Sequence, residues 1–363
     1  MPTFTPCDIG GHPDCSGAVF RLKRLGHRIS DLYPPYPTSF VPNCVSFGLN
    51  ECRAVDSGGG TRLGQYLLGL NNGWVVKRFS EPEVWAEIAA TKLDIDMVQF
   101  SFDLLDPMLD EETSNEVIAR TLDSCRRYGI KLQSCFTGAI AYNTNLLLHP
   151  SPKMREHAFD WYSRAVAISR KLHVEDVGGY MGSLTVKDYR NPQRREALLA
   201  GQVEHMLALA RLCREARLGT LLWEIMPVSR EPPSTISEAQ DLLQRLRDVP
   251  IPVKLCIDVG HACNPHAKDI RDRDPYAWLR ELGSESPCVH VQQTDGKGDR
   301  HWPFTEEFNK IGIIRGERIL SSLDESGASR TYVFPEVFPA LEKEDEQVID
   351  DMVETVKYWK EFM

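Results

Sequence analysis

Between residues 66 and 336, eight short apolar runs alternate with longer stretches whose apolar positions recur at helical spacing. The runs are Tyr66–Asn72, Met97–Ser101, Ile130–Ser134, Val174–Val177, Thr220–Glu224, Val253–Asp258, Cys288–Gln292 and Thr331–Glu336. The intervening stretches predict helices over Pro82–Thr91, Ser114–Tyr128, Lys153–Leu172, Pro192–Arg217, Ser234–Arg247, Pro275–Leu282, Gly316–Ser326 and Asp345–Phe362. Glu81-Pro82 and Asp274-Pro275 read as helix starts, because proline in the first turn forfeits no needed hydrogen bond. Strand and helix alternating in this way build a parallel sheet, and eight of each predict a (β/α)8 TIM barrel. The fourth run is the weakest, since Val174-Glu-Asp-Val177 is polar for an inward strand. Without it an open doubly wound sheet is the alternative, although no GxGxxG follows the first run and no GxxxxGK[ST] occurs.

Residues 1–64 break this pattern. Glycine, proline and Cys7, Cys15, Cys44 and Cys52 are scattered without apolar periodicity, and Ser57-Gly-Gly-Gly60 closes the stretch. These residues are expected to form a weakly ordered N-terminal extension, with the barrel domain over 65–363. The eight-residue steps Cys7 to Cys15 and Cys44 to Cys52 are far from a CxxC zinc knuckle.

Composition narrows the function classes. The chain has 363 residues, 42% hydrophobic and 26% charged, as in a globular protein whose core needs no disulfides. Cys125, Cys135, Cys213, Cys256 and Cys288 fall singly in apolar or helical patterns and read as buried free thiols. Lys plus Arg number 42 and Asp plus Glu 52, a net charge of −10 that disfavours nucleic acid as a partner. No apolar run is long enough to span a membrane, and no signal-peptide pattern opens the chain. A cytoplasmic location is expected.

In a parallel barrel, side chains from different strands converge at the strands' C-terminal ends. Four consecutive runs end in, or carry near their end, a ligand for a hard metal: Glu224, Asp258, His290 and Glu336. Any one carboxylate after an apolar strand is more often a cap or an ion-pair partner. Three carboxylates and an imidazole on adjacent strands are different, because unneutralised carboxylates there would repel one another and a divalent cation removes the repulsion. The oxygen-rich set suits one Mn2+ best; Mg2+, Co2+ and Zn2+ are compatible.

The set Glu224, Asp258-Val-Gly-His261, His290 and Glu336 resembles that of the xylose isomerase-like TIM-barrel superfamily, in particular its single-metal sugar epimerases and isomerases of the tagatose/psicose 3-epimerase kind. The resemblance covers residues 66–363, about four-fifths of the chain. It implies that Glu224, Asp258, His290 and Glu336 bind one divalent ion, that the two glutamates also move protons, and that His261 contacts substrate. It implies homo-oligomers as well. The chemistry is sound on its own terms: a cation holding a sugar by its carbonyl and neighbouring hydroxyl stabilises an enediolate and so acidifies the α-proton. Return of the proton to the same carbon is epimerisation, and return to its neighbour is isomerisation.

The sequence departs from the epimerase pattern after His290, where Gln292–Trp302 makes a long polar loop. Lys297 and Arg300, with Arg230 after Glu224, are candidate contacts to a substrate carboxylate or phosphate, against the alternative of a solvated turn. Gly296 and Gly298 suit a loop that moves over the mouth. Trp74 is either an apolar wall for the sugar or a core residue; Asp103 is a polar contact or, preferably, a cap of the next turn. A lyase, dehydratase or decarboxylase acting on a keto-sugar or keto-sugar acid could use the same centre. A barrel-type AP endonuclease with three zinc ions is disfavoured, because Phe100-Ser-Phe-Asp103 and Ser134-Cys-Phe-Thr137 offer no histidine. A binding module has no reason to gather three carboxylates in a barrel mouth.

Overall fold

A computed structural model describes residues 64–363. The expected extension, with Cys7, Cys15, Cys44 and Cys52, lies outside the described residues.

The strands are β1 Gln65–Leu68, β2 Leu70–Asn71, β3 Met97–Ser101, β4 Lys131–Phe136, β5 Asp176–Gly179, β6 Thr220–Glu224, β7 Val253–Asp258, β8 Cys288–Val291 and β9 Arg330–Pro335. All pair in parallel, in the order β1-β9-β8-β7-β6-β5-β4-β3-β2. β1 pairs with β9 and β2 with β3, and only Gly69 separates β1 from β2. One strand, broken at a glycine, thus closes the sheet into the predicted barrel rather than leaving it open. A Cβ at residue 69 would lie 2.3 Å from Cε1 of the buried Phe334, so only glycine lets this strand cross the ring. Gly69→Ala is expected to destabilise the fold by about 1–3 kcal/mol through overpacking, read as a lowered midpoint in urea unfolding.

The period of two along each strand decides which residues see the barrel axis. Leu222, Cys256, Cys288, Tyr332, Phe334 and Phe136 form one cluster inside the barrel, whereas Leu255, Ile257, Val289, Val291 and Val333 belong to the layer beneath the helices. Counting on by two from the interior set reaches Glu224, Asp258, His290 and Glu336, so all four face inward at the same end.

Helices cover the outside. Pro82–Thr91 and Pro275–Leu282 have the predicted bounds. Glu111–Tyr128 starts three residues earlier than predicted, because the Asp110 carboxylate caps Thr113 N at 2.9 Å. Ile236–Arg245 starts two residues later, since Thr235 is the cap. Pro152–Lys171, Pro192–Ala216, Gly316–Glu325 and Asp345–Lys360 complete the ring. The fourth run is corrected in place: its strand is Asp176–Gly179, not Val174–Val177. Asp176 is satisfied by the Gln133 side-chain amide at 2.7 Å, and the strand ends in two glycines that carry no hydrophobic signal. Short helices at Ala139–Tyr142, Val186–Arg190 and Glu306–Ile311 lie in loops where no periodicity announced them.

Cys125, Cys135, Cys213, Cys256, Cys263 and Cys288 are free and buried. Burial pushes the thiols of Cys125 and Cys135 up to about 12. Among the described residues no helix is long and apolar enough to cross a membrane.

Candidate metal centre at the barrel mouth

Glu224 and Asp258 end β6 and β7, His290 lies on β8, and Glu336 follows β9. Each offers one ligand atom, all within 4.8 Å of one another, and all four residues are buried. His290 Nδ1 stands 3.2 Å from Glu224 Oε1 and 3.2 Å from Glu336 Oε2. Ligands about 2.0–2.2 Å from a common ion have this spacing.

The surroundings fix the orientation of each ligand. His290 Nε2 sits 2.6 Å from Gln99 Oε1, so the Nε2–H donates there and the Nδ1 lone pair faces the carboxylates. Asn71 Nδ2 donates both to Gln99 Oε1 at 2.8 Å and to Glu336 Oε1 at 3.0 Å. Asp258 Oδ1 accepts from Gly260 N, His261 N and Gln292 Nε2 at 2.7, 2.9 and 3.0 Å. A Cβ at Gly260 would come within 2.2 Å of Gln292 Cδ, which is why glycine stands there. Asp258 Oδ2 and Glu336 Oε2 are buried and accept no hydrogen bond. A buried carboxylate oxygen without a donor is costly. Two of them, beside an imidazole lone pair and a further carboxylate, form a donor set that fits a divalent cation.

The electrostatics point the same way. Burial opposes charge on His290, yet Glu336 and Glu224 outweigh it and hold the imidazole's affinity for a proton well above the usual range. A cation there would take the place of that proton.

The sequence reading did not single out Tyr142, whose hydroxyl donates to Glu224 Oε2. It lies on the short helix Ala139–Tyr142 and stacks on Tyr180 with ring centroids 5.1 Å apart. Burial, reinforced by Glu224 and Glu336, pushes the phenol's pKa well above its usual value. Asn71 and Gln99 also escaped notice; their signal was a polar residue at an inward position of an apolar strand.

The remaining candidates are placed as follows. His261 is 2% exposed beside the metal quartet, with Nδ1 3.0 Å from the Ile225 carbonyl. Arg230 Nη1 donates to Ser183 Oγ at 3.1 Å and to the Leu184 carbonyl at 3.0 Å. Arg300 pairs with Asp295 at 3.1 Å and lies over Trp302, while Lys297 is exposed beside them. Trp74 is buried in the largest apolar cluster, 6.0 Å from the Phe79 ring. Asp103 does cap a helix, but a distant one: its Oδ1 accepts from Ile140 N at 3.2 Å. Burial raises the pKa of that carboxyl.

The comparisons with known proteins agree with this architecture. Residues 88–359 match the family described as xylose isomerase-like TIM barrel. The chain is 31% identical over 300 residues to the D-erythrulose 1-phosphate 3-epimerase of Brucella abortus (strain 2308), covering 80% of this chain and 94% of that protein. Among solved structures, a Rhodospirillum rubrum ATCC 11170 protein provisionally described as a xylose isomerase is 29% identical with a TM-score of 0.77, over 82% of this chain and 99% of that one. D-psicose 3-epimerase from Clostridium cellulolyticum H10, at 17% identity and a TM-score of 0.61 over 82% of this chain and 99% of that one, shares the fold. On the matched span and the identity to the Brucella enzyme, this chain belongs to the xylose isomerase-like TIM barrel family.

Proposed function

We propose that this chain is a sugar epimerase or isomerase dependent on one divalent ion, Mn2+ by preference, and that it moves a proton on a small keto-sugar or sugar derivative. The observation that carries this reading is the convergence of Glu224, Asp258, His290 and Glu336, with two carboxylate oxygens lacking any donor. The epimerase activity named for the Brucella relative supports the reaction class. When bound, the cation supplies stabilisation of the negative charge that develops on the substrate oxygens as the α-carbon loses its proton.

The chain's own residues do the rest. Glu224 and Glu336 reach the centre from strands on either side of β7 and β8, so one carboxylate takes the proton and the other returns one. Asp258 is held by three donors and serves as a fixed ligand. Tyr142 orients Glu224, and Asn71 orients Glu336. Trp74, His261, Arg230, Lys297 and Arg300 are proposed to shape or contact the substrate.

The test is a panel of ketoses and ketose phosphates incubated with Mn2+-loaded protein in D2O. The expected product has the substrate's skeleton and one deuterium on the carbon next to the carbonyl. Loss of water or carbon dioxide in the product would overturn the reading in favour of a lyase. Tyr142→Phe is expected to lower kcat/KM about 10–100-fold, the worth of a hydrogen bond to a charged group of about 1.5–3 kcal/mol, with the unfolding midpoint little changed. Steady-state kinetics on the active ketose checks it.

A further inference from the structure

One rung below the metal quartet, the barrel interior gathers ligands of a different kind. β7 and β8 pair with Asp258 opposite His290 and, two residues earlier, Cys256 opposite Cys288. The cysteine rung therefore lies about 6.6 Å deeper in the barrel, at about 3.3 Å per residue. Both thiols are free and buried. Cys256 Sγ stands 3.6 Å from Cys288 Sγ, and a ring nitrogen of His290 lies within 4.8 Å of both sulfurs. Gln99, whose Oε1 accepts from His290 Nε2 at 2.6 Å, turns its own Nε2 toward Cys288 Sγ at 3.5 Å. The cysteines otherwise pack with Leu222, Phe136, Tyr332 and Phe334. Packing in such a cluster calls only for small apolar side chains, not for two sulfurs in contact beneath an imidazole.

We propose that Cys256, Cys288 and His290 form an inhibitory site for a thiophilic divalent cation, of the zinc or cadmium kind, that shares only His290 with the quartet. The spacing fits: two thiolates about 2.3 Å from a tetrahedral ion stand about 3.8 Å apart, and the sulfurs here are 3.6 Å apart. The donor set fits as well, because two sulfurs and an imidazole select zinc and softer ions and are poor partners for Mg2+ or Mn2+. The charge balances, since the thiol protons leave as the ion binds and two thiolates neutralise a divalent cation, so the core gains no net charge. The Gln99 amide aimed at Cys288 Sγ supplies the outer hydrogen bond that a ligating thiolate requires.

The consequence follows from the shared imidazole. His290 Nδ1 meets Glu224 and Glu336, each at 3.2 Å. A shift of the ring toward the sulfurs completes the soft site and withdraws the only nitrogen ligand from the quartet. A thiophilic ion thus switches off the centre from below, while Mn2+ leaves the cysteines unoccupied. The inhibition rests on the reading of the quartet as the reactive centre; the binding does not.

The experiment titrates the chelator-stripped full chain with Cd2+ in a reductant that carries no thiol. Binding is followed by thiolate-to-cadmium charge-transfer absorbance for the wild type, Cys256→Ser, Cys288→Ser and Glu336→Gln, and 113Cd NMR correlated to cysteine Hβ protons is recorded on the loaded wild type. One cadmium resonance is expected to correlate with the Hβ protons of both Cys256 and Cys288. Each serine variant is expected to lose that part of the absorbance, with at least a tenfold weaker affinity, and Glu336→Gln to keep it. A wild-type spectrum in which no cadmium couples to Cys256 or Cys288 overturns the site, and this arm needs no variant to fold. Wild-type absorbance in both serine variants overturns it too, because any signal from the other cysteines is common to all four proteins. In a third arm, Cd2+ is added to the enzyme in excess Mn2+, and Cys256→Ser is expected to need at least tenfold more Cd2+ for half-inhibition than the wild type. Cadmium bound to both cysteines with Mn2+-dependent turnover intact would overturn the sharing of His290. Absorbance and NMR read no turnover, so a failure of the proposed reaction leaves the binding result standing.

Discussion

Glu336→Gln is expected to lower kcat by about 10²–10⁴-fold, the usual contribution of a positioned acid or base, while circular dichroism and the melting temperature stay near those of the wild type. The amide has the shape of the carboxylate and can still accept from Asn71 Nδ2, so the packing at the end of β9 survives. What is lost is a negative charge and a basic oxygen, at the Oε2 that accepts no hydrogen bond. Glu224→Gln should be as severe, and the pair can be told apart. If one glutamate removes the proton and the other delivers it, one variant will still exchange the substrate proton with D2O without forming product, while the other will do neither. Proton NMR of the substrate during incubation makes the distinction. A fully active Glu336→Gln protein would falsify the assignment of this residue.

Stripping the protein with a chelator is expected to abolish turnover, and Mn2+ to restore it. Stability should move with activity, because an ion that binds only the folded chain stabilises it by about 2.7 kcal/mol at a hundred times its Kd. For a domain of this size that corresponds to a melting temperature about 5 °C higher in the loaded protein. His290→Ala removes the imidazole whose Nδ1 meets both glutamates, and should abolish the Mn2+-dependent rise. Calorimetric scans of stripped and reloaded protein provide the measurement. Equal melting temperatures and full activity after stripping would mean that the quartet is a structural network, and the proposed reaction would fall with it.

Much of this candidate centre was legible from the chain because its four proposed ligands obey a local rule. Each ligand is at or near the end of a short apolar run, and strand alternation puts Glu224, Asp258, His290 and Glu336 on the same face as Leu222, Cys256, Cys288 and Phe334. No knowledge of a partner strand is needed to see that. The supporting residues obey no such rule. Tyr142 reaches Glu224 from a four-residue helix with no periodicity of its own. Gln99 reads as an interruption of an apolar strand, yet it joins His290, Asn71 and Ser134. Asp299 and His301 sit in a polar loop that looked like a solvated turn, until the fold folded it back against His261. Asp103 caps a helix, but one that begins 36 residues later.

Periodicity and capping are properties of neighbours along the chain, so the alternation of strands and helices, the inward-facing positions of most strands and the four candidate ligands at strand ends can be read from the residues alone. Three-dimensional packing alone closes the sheet through a strand broken at Gly69, sets Asn71 and Gln99 against Glu336 and His290, and turns the imidazoles of His261 and His301 toward a single carboxylate oxygen. Hydrogen-bond partners in a barrel mouth come from different βα units, and no local pattern records which loop will lie across from which strand end.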